Sequence, residues 1–194
     1  RFFTRCLPVA FNPEADTNEW VKYVATVLEG EREVLTLQEF CGYVLLPDCR
    51  YEKALLCIGT GENGKSLLFD LLIAVFSPSN CEFKELQELA STRDTQALGA
   101  IRDRLVNICG DIGSAKIRHT GIFKRLVSGE QVSYRPCHKR MTVRYQNACK
   151  LIFAANRAPE PKDDDTYAFY RRFILLNFPN RFDSSNPNRK PRKE

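Results

Sequence analysis

The chain has 194 residues, 43% of them hydrophobic and 27% charged, with a net charge of +5, enough for one substantial core with a small appended element. No uninterrupted apolar run approaches the length of about 18 residues that a membrane span needs, because Asp70 breaks the best candidate, LLFDLLIAVF. The first residues lack the pattern of a signal peptide, and a start at Arg1 rather than Met reads as a piece of something longer.

Thr17 or Asn18 caps a predicted helix from Glu19 to about Leu28, with Trp20, Val24, Val27 and Leu28 on one face and Gly30 as its stop. A second predicted helix runs from Val34 to Leu45 and ends at Pro47. Residues 1–53 thus make a helical prelude, either a cover for one face of the following sheet or a functional unit of its own.

The apolar run Ala54, Leu55, Leu56, Cys57 and Ile58 predicts a buried strand that breaks at Gly59. The following GTGENGKS matches G-x-x-x-x-G-K-S, and an apolar-periodic helix from Lys65 to Phe76 comes next. In that pattern glycines without side chains let backbone N–H groups face phosphate oxygens at a helix N-terminus. The candidate nucleotide-binding residues are Gly59, Thr60, Gly61, Glu62, Asn63, Gly64, Lys65, Ser66 and Leu67. Lys65 is expected to reach the β and γ phosphates and the Ser66 hydroxyl to ligate Mg²⁺.

The turn Ser77–Asn80 leads to a weak strand at Cys81–Phe83, and polar helical sequence follows from Lys84 to about Gly99. Residues 104–111, RLVNICGD, then read as an apolar strand carrying Asp111 at its C-terminal end. In open α/β sheets ligands bind at the carboxyl ends of strands, so topology alone puts Asp111 beside the phosphate loop, where it could hold hydrated Mg²⁺ or merely cap a helix.

Residues 114–128 read as a helix, and Val132–Arg144 as a β-hairpin with a basic tip around Pro136, Cys137, His138, Lys139 and Arg140. From Gln131 to Pro159 there is no Asp or Glu, whereas Arg135, Lys139, Arg140, Arg144, Lys150 and Arg157 are all positive. Any polyanion partner is expected to meet this stretch. KLIFAA, residues 150–155, is another apolar strand, ending at Asn156, an amide able to orient a water or sense the γ-phosphate or simply to make a turn. The acidic loop from Pro159 to Asp165 points its carboxylates in different directions, and Arg171 and Arg172 stand directly ahead of a last strand, FILLNF. Residues 183–194 read as a basic tail or linker.

The cysteines at 6, 41, 49, 57, 81, 109, 137 and 149 have no C-x-x-C spacing and several lie in apolar runs, as expected of small core residues in a reducing compartment. A bacterial or viral-host cytoplasm fits that usage. His119 and His138 lack the paired spacing of zinc ligands.

Five segments in this order, GTGENGKS, LVNICGDIG, FKRLVSGEQVSYRPCHKR, KLIFAANRAP and FYRRFILLNFPNRF, closely resemble the superfamily-three helicase domain of phage and plasmid primase-helicases, over about Phe2 to Phe182. The resemblance implies an α/β AAA+ P-loop NTPase core over residues 54–182, a mostly parallel five-stranded sheet flanked by helices, with a small N-terminal helical element and a β-hairpin insertion. It also implies a ring, usually a hexamer, that uses ATP and Mg²⁺ to move along single-stranded DNA at a replication fork, with a primase domain N-terminal in the parent chain. Gly59, Gly64, Lys65 and Ser66 match the family's Walker A loop, Asp111 its Walker B acid and Asn156 its polar sensor. Lys124 and residues 129–139 match the motif whose hairpin resembles the DNA-gripping one, which makes Lys124, Arg135, His138, Lys139 and Arg140 candidate DNA contacts. Arg172 matches the arginine finger, with Arg171 the fallback. One departure is Gly110, where many members carry a second acid; Glu62 and Glu130 are the candidates for activating water. Two other classes stay open: a different P-loop enzyme, against which stands the lack of an N-K-x-D guanine-reading tetrapeptide, and an initiator or loader that uses ATP only to assemble.

Overall fold

A computed structural model describes residues 5–113, 117, 119–162 and 166–182. Among these, strands β1 (Ala54–Ile58), β2 (Cys81–Glu82), β3 (Val106–Cys109), β6 (Lys150–Ala155) and β7 (Phe173–Asn177) form one parallel sheet in the order β2-β3-β6-β1-β7. A parallel sheet needs both faces covered, and its central strands accordingly lack polar alternation. In β1, Ala54 and Leu56 face one core cluster while Leu55 and Cys57 face the other; in β6, Leu151 and Phe153 split in the same way from Ile152 and Ala154.

Helices α1 (Asn18–Val27), α2 (Glu31–Val44) and α3 (Lys65–Phe76) cover one face. Helix α3 buries Leu68, Phe69, Leu72 and Phe76, the three-and-four spacing of a core stripe. Helix α2 begins three residues earlier than its apolar pattern suggests, at Glu31 directly after Gly30, whose φ of 103° suits glycine. The other face carries α4 (Leu86–Leu89), α5 (Gln96–Ile101), α6 (Thr120–Val127) and α7 (Thr166–Tyr170).

Two predicted helices are corrected. The polar stretch 84–99 is two short helices, not one. Glu85 and Glu88 close a capping box on α4, then the Ser91 hydroxyl and the Asp94 carboxylate accept backbone N–H bonds from Asp94 and Gln96, turning the chain before α5. These helices also bury Leu86, Leu89, Leu98 and Ile101. The helix expected over 114–128 starts only at Thr120, because Ile117 forms a parallel bridge with Pro161, its N–H donating to the Glu160 carbonyl and its carbonyl accepting from Lys162. Residues 114–116 and 118, the acidic run Asp163–Asp165 and the tail 183–194 lie outside the described residues.

The hairpin is present as antiparallel β4 (Gln131–Tyr134) and β5 (Val143–Gln146), with Gln131 opposite Gln146 and Tyr134 opposite Val143. It lies against α5: the Tyr134 ring covers Gly99, the Tyr145 hydroxyl donates to the Leu98 carbonyl, and the Gln96 amide donates to the Arg135 carbonyl at 2.6 Å. Its base is pinned by Asn147, buried, which donates to the carbonyls of Leu126 and Cys149. Cys49, Cys57, Cys81, Cys109 and Cys149 are buried, whereas Cys6 and Cys137 are exposed.

Candidate nucleotide-binding site

In the sheet order, β1 connects across to the far strand β2, while the chain leaving β6 passes over β1 to reach β7. The carboxyl ends of β1 and β6 therefore flank the point where the winding reverses, the place where open α/β sheets hold ligands. The GTGENGKS loop leaves β1 at that point. The Gly59 N–H donates to the Ala155 carbonyl at 3.1 Å, which sets the first loop glycine beside Asn156. The Ile112 N–H donates to the Ala154 carbonyl at 2.9 Å, which sets Asp111 at the same edge. Three strand ends 45 or more residues apart in sequence thus meet through two backbone bonds.

The loop itself is built around an ammonium group. Lys65 Nζ donates to the Gly59 carbonyl at 2.5 Å and to Asn63 Oδ1 at 3.0 Å, and the residue is 8% exposed. Burial lowers its pKa below the ordinary lysine value, opposed by Cys57 and by the Asp111 carboxylate. The glycines are required by space. A Cβ on Gly59 would lie 1.9 Å from Asn63 Nδ2 and 2.9 Å from the Phe178 carbonyl. Gly64 has φ 87° and a Cβ there would lie 2.6 Å from Val27 of α1. Gly64→Ala is accordingly expected to cost about 2–4 kcal/mol from left-handed strain plus overpacking, read as a lower urea midpoint; an unchanged midpoint would mean that α1 does not press on the loop.

Ser66, the second residue of α3, is exposed, and Asp111 is exposed as well. A hydroxyl and a carboxylate at the loop edge, with water access, are the donor set that suits a partly hydrated Mg²⁺. Thr60 is exposed and Gly61 has φ 106°. Leu67 turns its side chain outward, 51% exposed, so only its backbone belongs to the loop. Of the two candidate bases, Glu62 is tied to Arg181 at 3.2 Å, and Glu130 sits at the hairpin base, bonded through its backbone to Arg125 and Asn147.

Two groups that the sequence pattern does not single out also hold the loop. The Tyr23 hydroxyl of α1 donates to the Gly64 carbonyl at 2.9 Å. Residues 178–182 strap over the loop: Phe178 N–H donates to the Ile58 carbonyl and Phe182 N–H to the Glu62 carbonyl. FPNRF lies within the quoted motif, which is a signal for the strap; a tyrosine inside a helical stripe carries none.

The paired arginines require a correction. They precede β7 at the opposite end of the sheet, where the Ala54 N–H donates to the Arg172 carbonyl. The five residues of β1 separate them from their own loop by about 15 Å. Arg172, the residue matched to the arginine finger, is 8% exposed; it donates to the Ala168 carbonyl at 2.6 Å and to Ser128 Oγ at 3.2 Å, and its Nε is buried without a hydrogen-bond partner. It turns inward because α7 and the end of α6 offer oxygen acceptors there. Arg171 is the outward member, about half exposed, with Glu52 at 4.0 Å.

At the hairpin, Arg135, His138, Lys139 and Arg140 are exposed, and the Lys139 N–H closes a turn on the Pro136 carbonyl at 3.2 Å. Lys124 is half-buried in the last turn of α6. Lys150, counted in the acid-free basic stretch, is corrected: it is 2% exposed, donates to the carbonyls of Leu46 and Ala148, and lies 5.0 Å from the Tyr43 ring centroid. It fastens the segment before β1 to the start of β6 and faces no solvent-borne polyanion.

The model of a family described as being of unknown function, DUF5906, matches residues 57–172, more than half of the chain. The chain belongs to DUF5906. No curated protein matches it. Among solved structures, an A-form apo structure of the NrS-1 C-terminal region resembles this DUF5906 chain at a TM-score of 0.61 and 17% identity, covering 91% of this chain and 38% of that one. A second A-form apo structure of that region gives 0.58 and 17%, covering 84% and 37%. A JCV helicase bound to a thiazolopyridine-containing acetamide gives 0.51 and 14%, covering 86% and 46%. At these identities the likeness shows a shared fold and no more. The DUF5906 chain spans less than half the length of each of these structures. No helix among the described residues is long and apolar enough to cross a membrane.

Proposed function

We propose that this chain is the motor domain of a replicative primase-helicase of superfamily-three type, hydrolysing ATP at the subunit interfaces of a ring, usually a hexamer, to move on single-stranded DNA. The reading rests above all on Lys65, whose ammonium is held between Gly59 and Asn63 where the ends of β1, β3 and β6 meet. Phosphoryl transfer to water needs positioning and charge neutralisation more than covalent chemistry. Lys65 and the loop N–H groups bind and orient the phosphates, and Asn156 at the end of β6 orients the attacking water. Ser66 and Asp111 would hold Mg²⁺, which when bound neutralises charge building on the β and γ oxygens. Arg171 lies too far from its own loop to act there, so it would act on a neighbour's nucleotide. By the resemblance, the parent protein would carry a primase domain ahead of this segment and act in bacterial or viral-host cytoplasm.

DNA-stimulated ATP hydrolysis tests the proposal; hydrolysis no higher with DNA than without it would argue against a motor. An ATP-dependent loader with little hydrolysis is the second reading, favoured by Gly110 at the position where many relatives by resemblance carry an acid. The hairpin tip is the proposed DNA contact. Lys139→Ala is expected to weaken single-stranded DNA binding and to make its log-log salt slope shallower by about 0.7, one phosphate contact's share. Unchanged affinity and slope in a salt titration would remove the hairpin from the interface.

A further inference from the structure

The contact between the phosphate loop and the strap after β7 has a use that the nucleotide reading leaves unassigned. Glu62 stands in the loop with a positive φ of 49°, and its carboxylate oxygen Oε2 accepts from both Nε and Nη2 of Arg181, at 3.3 and 3.2 Å. Its carbonyl accepts the Phe182 N–H at 2.6 Å. The strap is itself fixed. Phe178 N–H donates to Ile58 at 2.8 Å, Asn63 Nδ2 donates to the Phe178 carbonyl at 3.4 Å, and Asn180 Nδ2 donates to the Thr26 carbonyl of α1 at 2.8 Å. Arg181 is therefore carried to the loop's mouth by backbone bonds on either side of it, independent of its own ion pair.

A carboxylate beside bound phosphates is repulsive unless neutralised, and a guanidinium fork matches a phosphate at least as well as a carboxylate. Both side chains are more than half exposed, 65% for Arg181 and 56% for Glu62, so a change of partner buries or uncovers little. The pair meets on the loop between Gly61 and Asn63, the stretch whose backbone the G-x-x-x-x-G-K-S pattern assigns to phosphates.

We propose that Arg181 reads the terminal phosphate of a nucleoside triphosphate in the same chain: Glu62 holds the guanidinium at the loop's mouth, and the γ-phosphate competes for it. The pair then sets the preference for triphosphate over diphosphate, and the strap makes that state felt at α1 through Asn180. The proposal deepens the nucleotide reading and rests on it.

The test is binding of a fluorescent non-hydrolysable ATP analogue and of the matching ADP analogue to the wild-type chain and to Arg181→Gln, Arg181→Lys and Glu62→Gln, with a melting curve for each. Arg181→Gln is expected to weaken the triphosphate by about tenfold, the worth of one charge-assisted hydrogen bond, with a much smaller change for the diphosphate. Arg181→Lys should recover part of the loss and Glu62→Gln should tighten the triphosphate. Equal losses for both nucleotides, an unchanged ratio, or loss of both together with a lowered melting temperature would overturn the proposal and leave the strap a structural brace. Failure of the wild-type chain to bind either nucleotide would instead overturn the nucleotide site itself.

Discussion

Lys65→Ala is expected to reduce ATP hydrolysis by a factor on the order of 10³ or more and to weaken ATP binding. The ammonium sits at the centre of the loop, bonded to one acceptor at its entrance, Gly59, and one near its exit, Asn63. On the proposed reading those bonds hold the group where phosphate oxygens would converge, so little reorganisation would be needed as charge builds during transfer. The residue is nearly buried, yet its partners are a carbonyl and an amide oxygen, not a carboxylate. Removing it costs the fold little charge pairing and costs the site its main cation. The melting temperature should therefore change far less than the rate. Lys65→Arg should not restore activity, because a planar fork cannot occupy a space shaped for a compact ammonium between Gly59 and Asn63. Steady-state phosphate release checks both variants, and retention of half the wild-type rate by Lys65→Ala would remove the loop from the chemistry.

The second large effect separates the two arginines before β7. Arg171→Ala is expected to lower hydrolysis by roughly 10³ or more with an unchanged melting temperature, as for a guanidinium supplied across a subunit boundary. Arg171 can be lost cheaply by the fold, since its ion pair with Glu52 is exposed and spans 4.0 Å. Arg172→Ala should do the reverse. It takes the buried donor from the Ser128 hydroxyl and one donor from the Ala168 carbonyl, a loss of about 1–3 kcal/mol. It therefore lowers the melting temperature first. Mixing supplies the decisive measurement: Arg171→Ala subunits and Lys65→Ala subunits, each inactive alone, should partly restore hydrolysis when combined, because some interfaces then pair an intact loop with an intact arginine. No restoration would argue against action across a boundary. An Arg172→Ala protein that melts like wild type yet has lost hydrolysis would return the finger role to Arg172.

The GTGENGKS loop between strand and helix, and the three strands around it, were legible because their signals are local. Five successive apolar residues before Gly59, and similar runs before Asp111 and Asn156, are what doubly covered parallel strands require, and the loop's chemistry depends on residues adjacent in sequence. The hairpin was legible for the same reason, from a turn-forming basic stretch between two short strands. The 84–99 segment misled because its exposed polar residues outnumber the leucines that anchor it, and the break at Ser91 and Asp94 comes from side chains competing for backbone N–H groups. Lys150 misled because a charge count along the chain cannot register that its ammonium finds two carbonyls and an aromatic face inside the protein.

By itself, then, the sequence determined the order of strand, phosphate loop and helix, the acid and the amide at two further strand ends, and the basic hairpin, since each follows from residue types within a few positions of one another. Only the tertiary structure decided that β6 lies between β1 and β3, that Arg172 points inward while Arg171 points out, and that Tyr23 and Arg181 brace the loop from opposite ends of the chain. Those outcomes depend on which distant acceptors a packed side chain can reach. Reach of that kind is set by the closing of the sheet and its helices around a shared core, which no window along the chain contains.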